Sequence, residues 1–297
     1  MRFSSYHPAI NLIFFIAVIT AAVSFDQPIF LAISYLCPWI YSVVLNGQRA
    51  WAFNLVLIPL VVLFSLFYSA YRHFGVTVLA VNWIGNRITL ESLLYGLVIG
   101  IKTAAILMWF SCVHATFTSD KVIYLFGRVA PKLSLFLSIL LRMIPHIKAQ
   151  VRRVHTAQQC IGRGMNQGSI LRRIQNFLRI QSITITWAIE NFAAMSDAMR
   201  SRGYTLKGRT AYALYRFDYR DRSFVIMLFS CLTVLFMGVM LDQTRAGYNP
   251  EIIINQVTPV SLIFYSAYLV VALLPMTLQI IGEYRFKKCQ EAISSQR

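Results

Sequence analysis

Residues 52–71 read AFNLVLIPLVVLFSLFYSAY, twenty positions without one charged side chain. A bilayer core of ~30 Å takes roughly 20 consecutive apolar residues in helical form. This stretch meets that length and is too long for the core of a soluble domain. Strands of a membrane barrel would alternate apolar and polar residues over ~10 positions, and no such alternation is present. Working outward, comparable blocks lie at 10–25, 28–45, 91–117, 222–241 and 258–282. The connection from Ser24 to Pro28 suits a tight hairpin of antiparallel helices. Hydrophobic residues make up 57% of the 297 positions and charged residues 13%, against about a quarter charged in soluble domains. The expectation is an all-α, polytopic membrane protein with six transmembrane helices.

The first block resembles a signal sequence in having Arg2 before an apolar run from Ile10 to Val23. A second span begins almost at once at Pro28, however, and no small-x-small cleavage site comes before it. A retained first helix is expected. Cys37, Cys112, Cys160, Cys231 and Cys289 are scattered without metal-binding or paired spacing, so neither a disulfide framework nor a zinc site follows. No cofactor is implied.

The net charge is +17, and its distribution is informative. Residues 119–222 hold 18 of the 28 basic side chains and five of the 11 acidic ones, a net +13. Basic residues near the ends of spans favour the cytoplasmic side; Lys121, Arg128, Arg216, Arg220 and Arg222 occupy such places. The tail with Arg285, Lys287 and Lys288 is basic too, whereas the loop from Asp242 to Val257 has one Arg and two acids and reads as external. Tyr71 to Arg87 fits less well, being external by this count yet carrying Arg72 and Arg87. Three regions are expected: four spans in 1–118, cytoplasmic helices in 119–221, and two spans with a basic tail in 222–297. Both termini would be cytoplasmic.

Between spans four and five the apolar residues recur at helical spacing. Leu140, Ile144, Ile147, Val151, Val154 and Ile161 form one stripe. Ile174, Leu178, Gln181, Ile185, Ala188, Phe192, Met195 and Met199 form a second. Pro131 suits a first turn, Pro145 would kink the first helix, and Ser169 is a candidate N-cap of the second. Both helices run into a glycine: Gly162-Arg163-Gly164 closes the first and Ser201-Arg202-Gly203 the second. Small neighbours leave each guanidinium accessible. A single arginine of this kind is most simply a complement to the negative helix end. Two, 39 residues apart, point instead to a pair of tips seeking acidic pockets on a cytoplasmic partner, because a guanidinium matches a carboxylate bidentately.

These residues resemble the T component of energy-coupling-factor transporters, the CbiQ/EcfT type. The likeness is carried by His7-Pro8-Ala9-Ile10-Asn11-Leu12, by Thr118-Ser119-Asp120 followed by Leu141-Arg142-Met143-Ile144-Pro145, by Ala157 to Gly164, and most closely by Ser196 to Tyr204. Gly162 and Ser201 stand where the family usually has alanine, and Gly162, if inside the last helical turn, would cost about 1 kcal/mol relative to alanine. The resemblance implies that Arg163 and Arg202 each meet an acidic residue of one of two ABC-type ATPase subunits. It also implies that the helices hold a small membrane-embedded substrate-binding subunit, and that the whole imports a vitamin or metal ion. The alternative is a conventional ABC permease that itself forms the substrate path.

Other classes fit poorly. No GxxxxGK[ST] phosphate loop is present, so ATP hydrolysis would belong to another chain. No HExxH or acidic cluster serves an enzyme, and His146 and His155 fall on nearly opposite faces of one helix. Nucleic-acid binding is disfavoured, because the anionic inner leaflet already rewards basic residues. Lys102 is the one charge deep inside a span. Such a charge snorkels, pairs towards Glu91, or anchors its helix to a neighbour or to the substrate-binding subunit.

Overall fold

The computed structural model describes residues 3–72, 75–81, 87–204, 206, 215, 217–248 and 252–294. Arg216 and the side chains of Arg87, Arg128 and Cys289, all named above, fall outside the described residues. After a short 3-10 turn, Phe3–Ser5, come α1 (Pro8–Ser24), α2 (Pro28–Asn46), α3 (Gln48–Tyr71) and α4 (Leu90–Thr116). Then follow α5 (Ser119–Val129), α6 (Pro131–Cys160), α7 (Ile170–Ser201), α8 (Tyr219–Met240) and α9 (Pro259–Ser294). Two antiparallel ribbons were not anticipated: β1 (Val78–Val81) with β2 (Arg87–Thr89), and β3 (Ala246–Gly247) with β4 (Ile253–Ile254). Both lie in connections, and the fold is all-α and polytopic.

Among the described residues, α2, α3, α4, α8 and the Pro259–Lys288 part of α9 are long and apolar enough to cross a membrane. The first expected span, α1, is a shorter apolar helix of 17 residues. Prolines set several starts, since a missing N–H costs nothing in a first turn: Pro8, Pro28 and Pro131 sit there in α1, α2 and α6. Gly47 joins α2 directly to α3 with φ +61°, a left-handed turn that glycine adopts without a Cβ clash.

The chain divides into two compact units, residues 1–118 with 215–297, and residues 119–214. The first unit has an aromatic centre in which Phe3, Phe14 and Trp109 are fully buried. Phe3 meets Phe14 edge-on with ring centroids 5.4 Å apart, and Phe14 meets Trp109 likewise at 6.1 Å, an arrangement the ring quadrupoles favour. On the other side of α4, Gly96 and Gly100 bring it against the α3 backbone. A Cβ at Gly96 would stand 2.9 Å from Ser65 O, and one at Gly100 would stand 2.8 Å from Val61 O. Small residues at this spacing let two membrane helices approach closely, where dispersion and hydrogen bonds replace the missing hydrophobic drive.

The second unit contains α5, α6 and α7. Ser134 Oγ donates to the Ile123 carbonyl at 3.0 Å and ties α5 to α6. Pro145 lies inside α6, which runs unbroken from Pro131 to Cys160. Of the expected α6 stripe, Leu140, Ile147, Val151 and Val154 are half-buried, while Ile144 and Ile161 are exposed. In α7 the stripe is covered only along its second half. Ala188, Phe192, Met195 and Met199 are half-buried, but Ile174, Leu178 and Ile185 are exposed. Periodicity marks an apolar face without saying what covers it; in the first half of α7 Ile180 and Thr184 are the buried residues, and of the stripe there Gln181 alone is half-buried.

Candidate functional site: two arginine tips

Both helix ends are built by one backbone device. At the end of α6 the Gly162 N–H donates to the Gln159 carbonyl at 3.1 Å and the Arg163 N–H to the Gln158 carbonyl at 2.9 Å. At the end of α7 the Gly203 N–H donates to Arg200 O at 3.0 Å and the Tyr204 N–H to Met199 O at 3.2 Å. Each pair is a Schellman motif, which satisfies the last carbonyls and needs a left-handed residue just past the helix. Gly162 has φ +77° and Gly203 φ +75°. Ser169 is the N-cap residue of α7 as expected, although its side chain makes no capping hydrogen bond.

The two tips differ by one residue in frame. In the second, Arg202 is the C-cap itself and the left-handed glycine follows it. In the first, the left-handed residue is Gly162, before the arginine, and Arg163 stands beyond the turn. Gly162 is therefore not inside the last helical turn, and the loosening expected there is replaced by a cap that requires glycine. Gly164 is buried and locked from both sides: its N–H donates to Gln167 Oε1 at 2.9 Å and its carbonyl accepts from Asn176 Nδ2 at 3.1 Å. That pins the α6–α7 connection just behind Arg163.

Arg163, Ser201 and Arg202 are exposed, and among the described residues no carboxylate pairs with either guanidinium. Two cationic groups are thus presented on rigid, capped backbone. Two clefts run beside the second tip where α6 and α7 cross. One, of about 460 Å³, includes Arg142, Asn191 and Arg202 in its walls. The other, of about 350 Å³, is more apolar and includes Leu140, Phe192 and Met195. Arg142 had no role assigned from sequence. The available signal was its place in a segment already quoted for its resemblance.

Lys102 has a partner that sequence reasoning missed. Its ammonium lies 2.6 Å from Asp26 Oδ1 and also donates to the Val23 carbonyl at 2.7 Å. Pairing towards Glu91 is incorrect, since Glu91 accepts from Thr77 Oγ1 at 2.6 Å and from the Thr77 N–H at 3.2 Å. A helical side chain leans towards the N-terminus of its helix, which carries Lys102 to the α1–α2 turn. Asp26, the lone acid in that turn, was the available clue. Among the described residues no three His, Cys, Asp or Glu side chains converge on a point.

Known proteins are similar to this chain in sequence. The chain is 25% identical over 218 residues to the energy-coupling factor transporter transmembrane protein EcfT of Staphylococcus aureus, covering 67% of this chain and 81% of that one. It is 28% identical over 166 residues to the protein of the same name from Bacillus selenitireducens, covering 52% and 60%. With the corresponding Streptococcus thermophilus protein it shares 26% over 117 residues, covering 39% and 44%. The model of the CbiQ family, described as cobalt transport protein, matches residues 3–212. That match takes in α1 to α4 and both arginine tips, and on it the chain belongs to the CbiQ family, whose members are membrane transport components and not enzymes.

Proposed function

We propose that this chain is the transmembrane energy-coupling subunit of an energy-coupling-factor importer in the cytoplasmic membrane. It links two ABC-type ATPase subunits to a small membrane-embedded substrate-binding subunit, for uptake of a vitamin or metal ion. The observation that carries the reading is the pair of exposed arginines, without an ion-pair partner among the described residues, on two glycine-capped helix ends. The chain itself has no phosphate loop. Arg163 and Arg202 each take an acidic residue of one ATPase, with Gly162, Gly164, Ser201 and Gly203 keeping the approach open. ATP-driven movement of the ATPase pair then shifts α6 and α7, and these reorient the substrate-binding subunit. In this reading α1 is a sixth span, and both termini and the cationic segment lie on the cytoplasmic side with the ATPases.

The test is co-expression with the cognate ATPases and the substrate-binding subunit, followed by purification through this chain. Wild type retains two ATPases and one small hydrophobic subunit. Arg163→Ala with Arg202→Ala inserts normally and loses the ATPases, because removing one partner of a buried charge pair costs ~3–5 kcal/mol. Full co-purification and uptake by the double variant would overturn the reading.

A further inference from the structure

The frame difference between the two tips has a chemical consequence at the second. Arg202 is a helix-end residue with φ −82° and ψ 5°. Its side chain therefore leans back along α7 over the preceding turn, and it lines the cleft with Ala198, Met199 and Asn191. Across the cleft, α6 contributes Arg142 to the same walls. Among the described residues no Asp or Glu lines this cleft and neither arginine has an ion-pair partner. Two like charges thus line one cleft in the free chain. A carboxylate between them gains two charge-assisted interactions.

We infer that Arg142 is a third coupling arginine. Together with Arg202 and the Asn191 amide it forms a socket for a carboxylate-bearing segment of the ATPase that docks at the second tip. This inference rests on the coupling function proposed above. The apolar cleft beside the socket, which shares Met199 and Tyr204 with it, takes the hydrophobic flank of the same segment. A planar, five-donor group at position 142 is required, so lysine replaces it incompletely.

The experiment measures ATPase affinity for the purified full-length chain in detergent as a function of salt. The variants are Arg142→Gln, Arg142→Lys, Arg202→Ala and Arg142→Gln with Arg202→Ala. Arg142 is exposed and glutamine is uncharged but long, so thermal unfolding should match wild type. The expected result is a loss of about 30-fold or more with a shallower salt dependence for Arg142→Gln, and a smaller loss with the wild-type salt dependence for Arg142→Lys, which keeps the charge. The double variant should lose less than the product of the two single losses, since both arginines share one carboxylate. If Arg142→Gln binds like wild type while Arg202→Ala does not, the socket is wrong and the coupling function stands. If both variants bind like wild type, both are wrong. Multiplicative losses would show that Arg142 acts independently of Arg202 and would also overturn the shared socket.

Discussion

The Lys102 ammonium, in the middle of α4, lies 2.6 Å from the Asp26 carboxylate in the turn between α1 and α2. Asp26 is fastened on its other sides too: its N–H donates to the Thr244 carbonyl at 3.0 Å, and Tyr248 Oη donates to its carbonyl at 3.0 Å. One acidic residue thus gathers the α1–α2 turn, α4 and the α8–α9 connection. The Lys102 and Asp26 side chains are 16% and 33% exposed, so the pair is partly removed from solvent.

Lys102→Ala is expected to lower stability by about 1–3 kcal/mol, the range for hydrogen bonds to charged groups. A fully buried pair would lose more, and the exposure of Asp26 sets the smaller figure. Thermal unfolding in detergent reads the effect, and an unchanged midpoint would reduce the pair to a surface contact without weight.

Gly96 and Gly100 should tolerate no side chain. Their virtual Cβ atoms meet α3 backbone, which moves only if the helix moves. Gly96→Ala and Gly100→Ala are each expected to cost about 1–3 kcal/mol as overpacking. The damage should appear as faster hydrogen exchange in α3 and α4, with α6 and α7 unaffected.

Gly162→Ala restores the family's usual residue and is nevertheless expected to weaken the first tip. Nothing lies within 4 Å of a Cβ there, so the cost is that of placing alanine at φ +77°, about 1–2 kcal/mol. Gly162→Asn should be milder, because asparagine tolerates the left-handed region. Amide exchange at Gly162 and Arg163 is the direct measure; equal protection in wild type and Gly162→Ala would contradict the cap.

Lys121 supplies a pH dependence. It is 2% exposed, and burial lowers its pKa from 10.5 to about 8. Between these values the unfolded chain binds more protons than the folded one, so stability rises with pH across that window. Below pH 8 the full penalty of charging the buried amine applies, about 3 kcal/mol at most. Lys121→Met should remove this slope. A wild type and a Lys121→Met variant with parallel pH profiles would count against it.

Much of the fold was legible in residues 52–71 and the blocks around them, because uninterrupted apolar length is a direct response to the bilayer. Gly203 was equally legible as the residue that closes α7, since a left-handed exit admits few residues besides glycine. Two readings went astray where the answer depended on register in space. Lys102 was left with several possible contacts, and the one towards Glu91, eleven positions away on its own helix, is excluded because its partner stands 76 residues away at a turn. Gly162 was placed within a helix that had already ended, since a one-residue shift of the cap leaves the motif's letters unchanged.

The sequence by itself determined the class of protein, its apolar helices, the concentration of positive charge and the two glycine-closed arginine tips. All of these follow from local composition and backbone preference. Only the tertiary structure decided that Asp26 answers Lys102, that α3 and α4 meet at Gly96 and Gly100, and that Arg142 and Arg202 share a cleft. Each of those facts joins residues far apart in the chain, and the physical interactions that select them act through space, where spacing along the sequence carries no information.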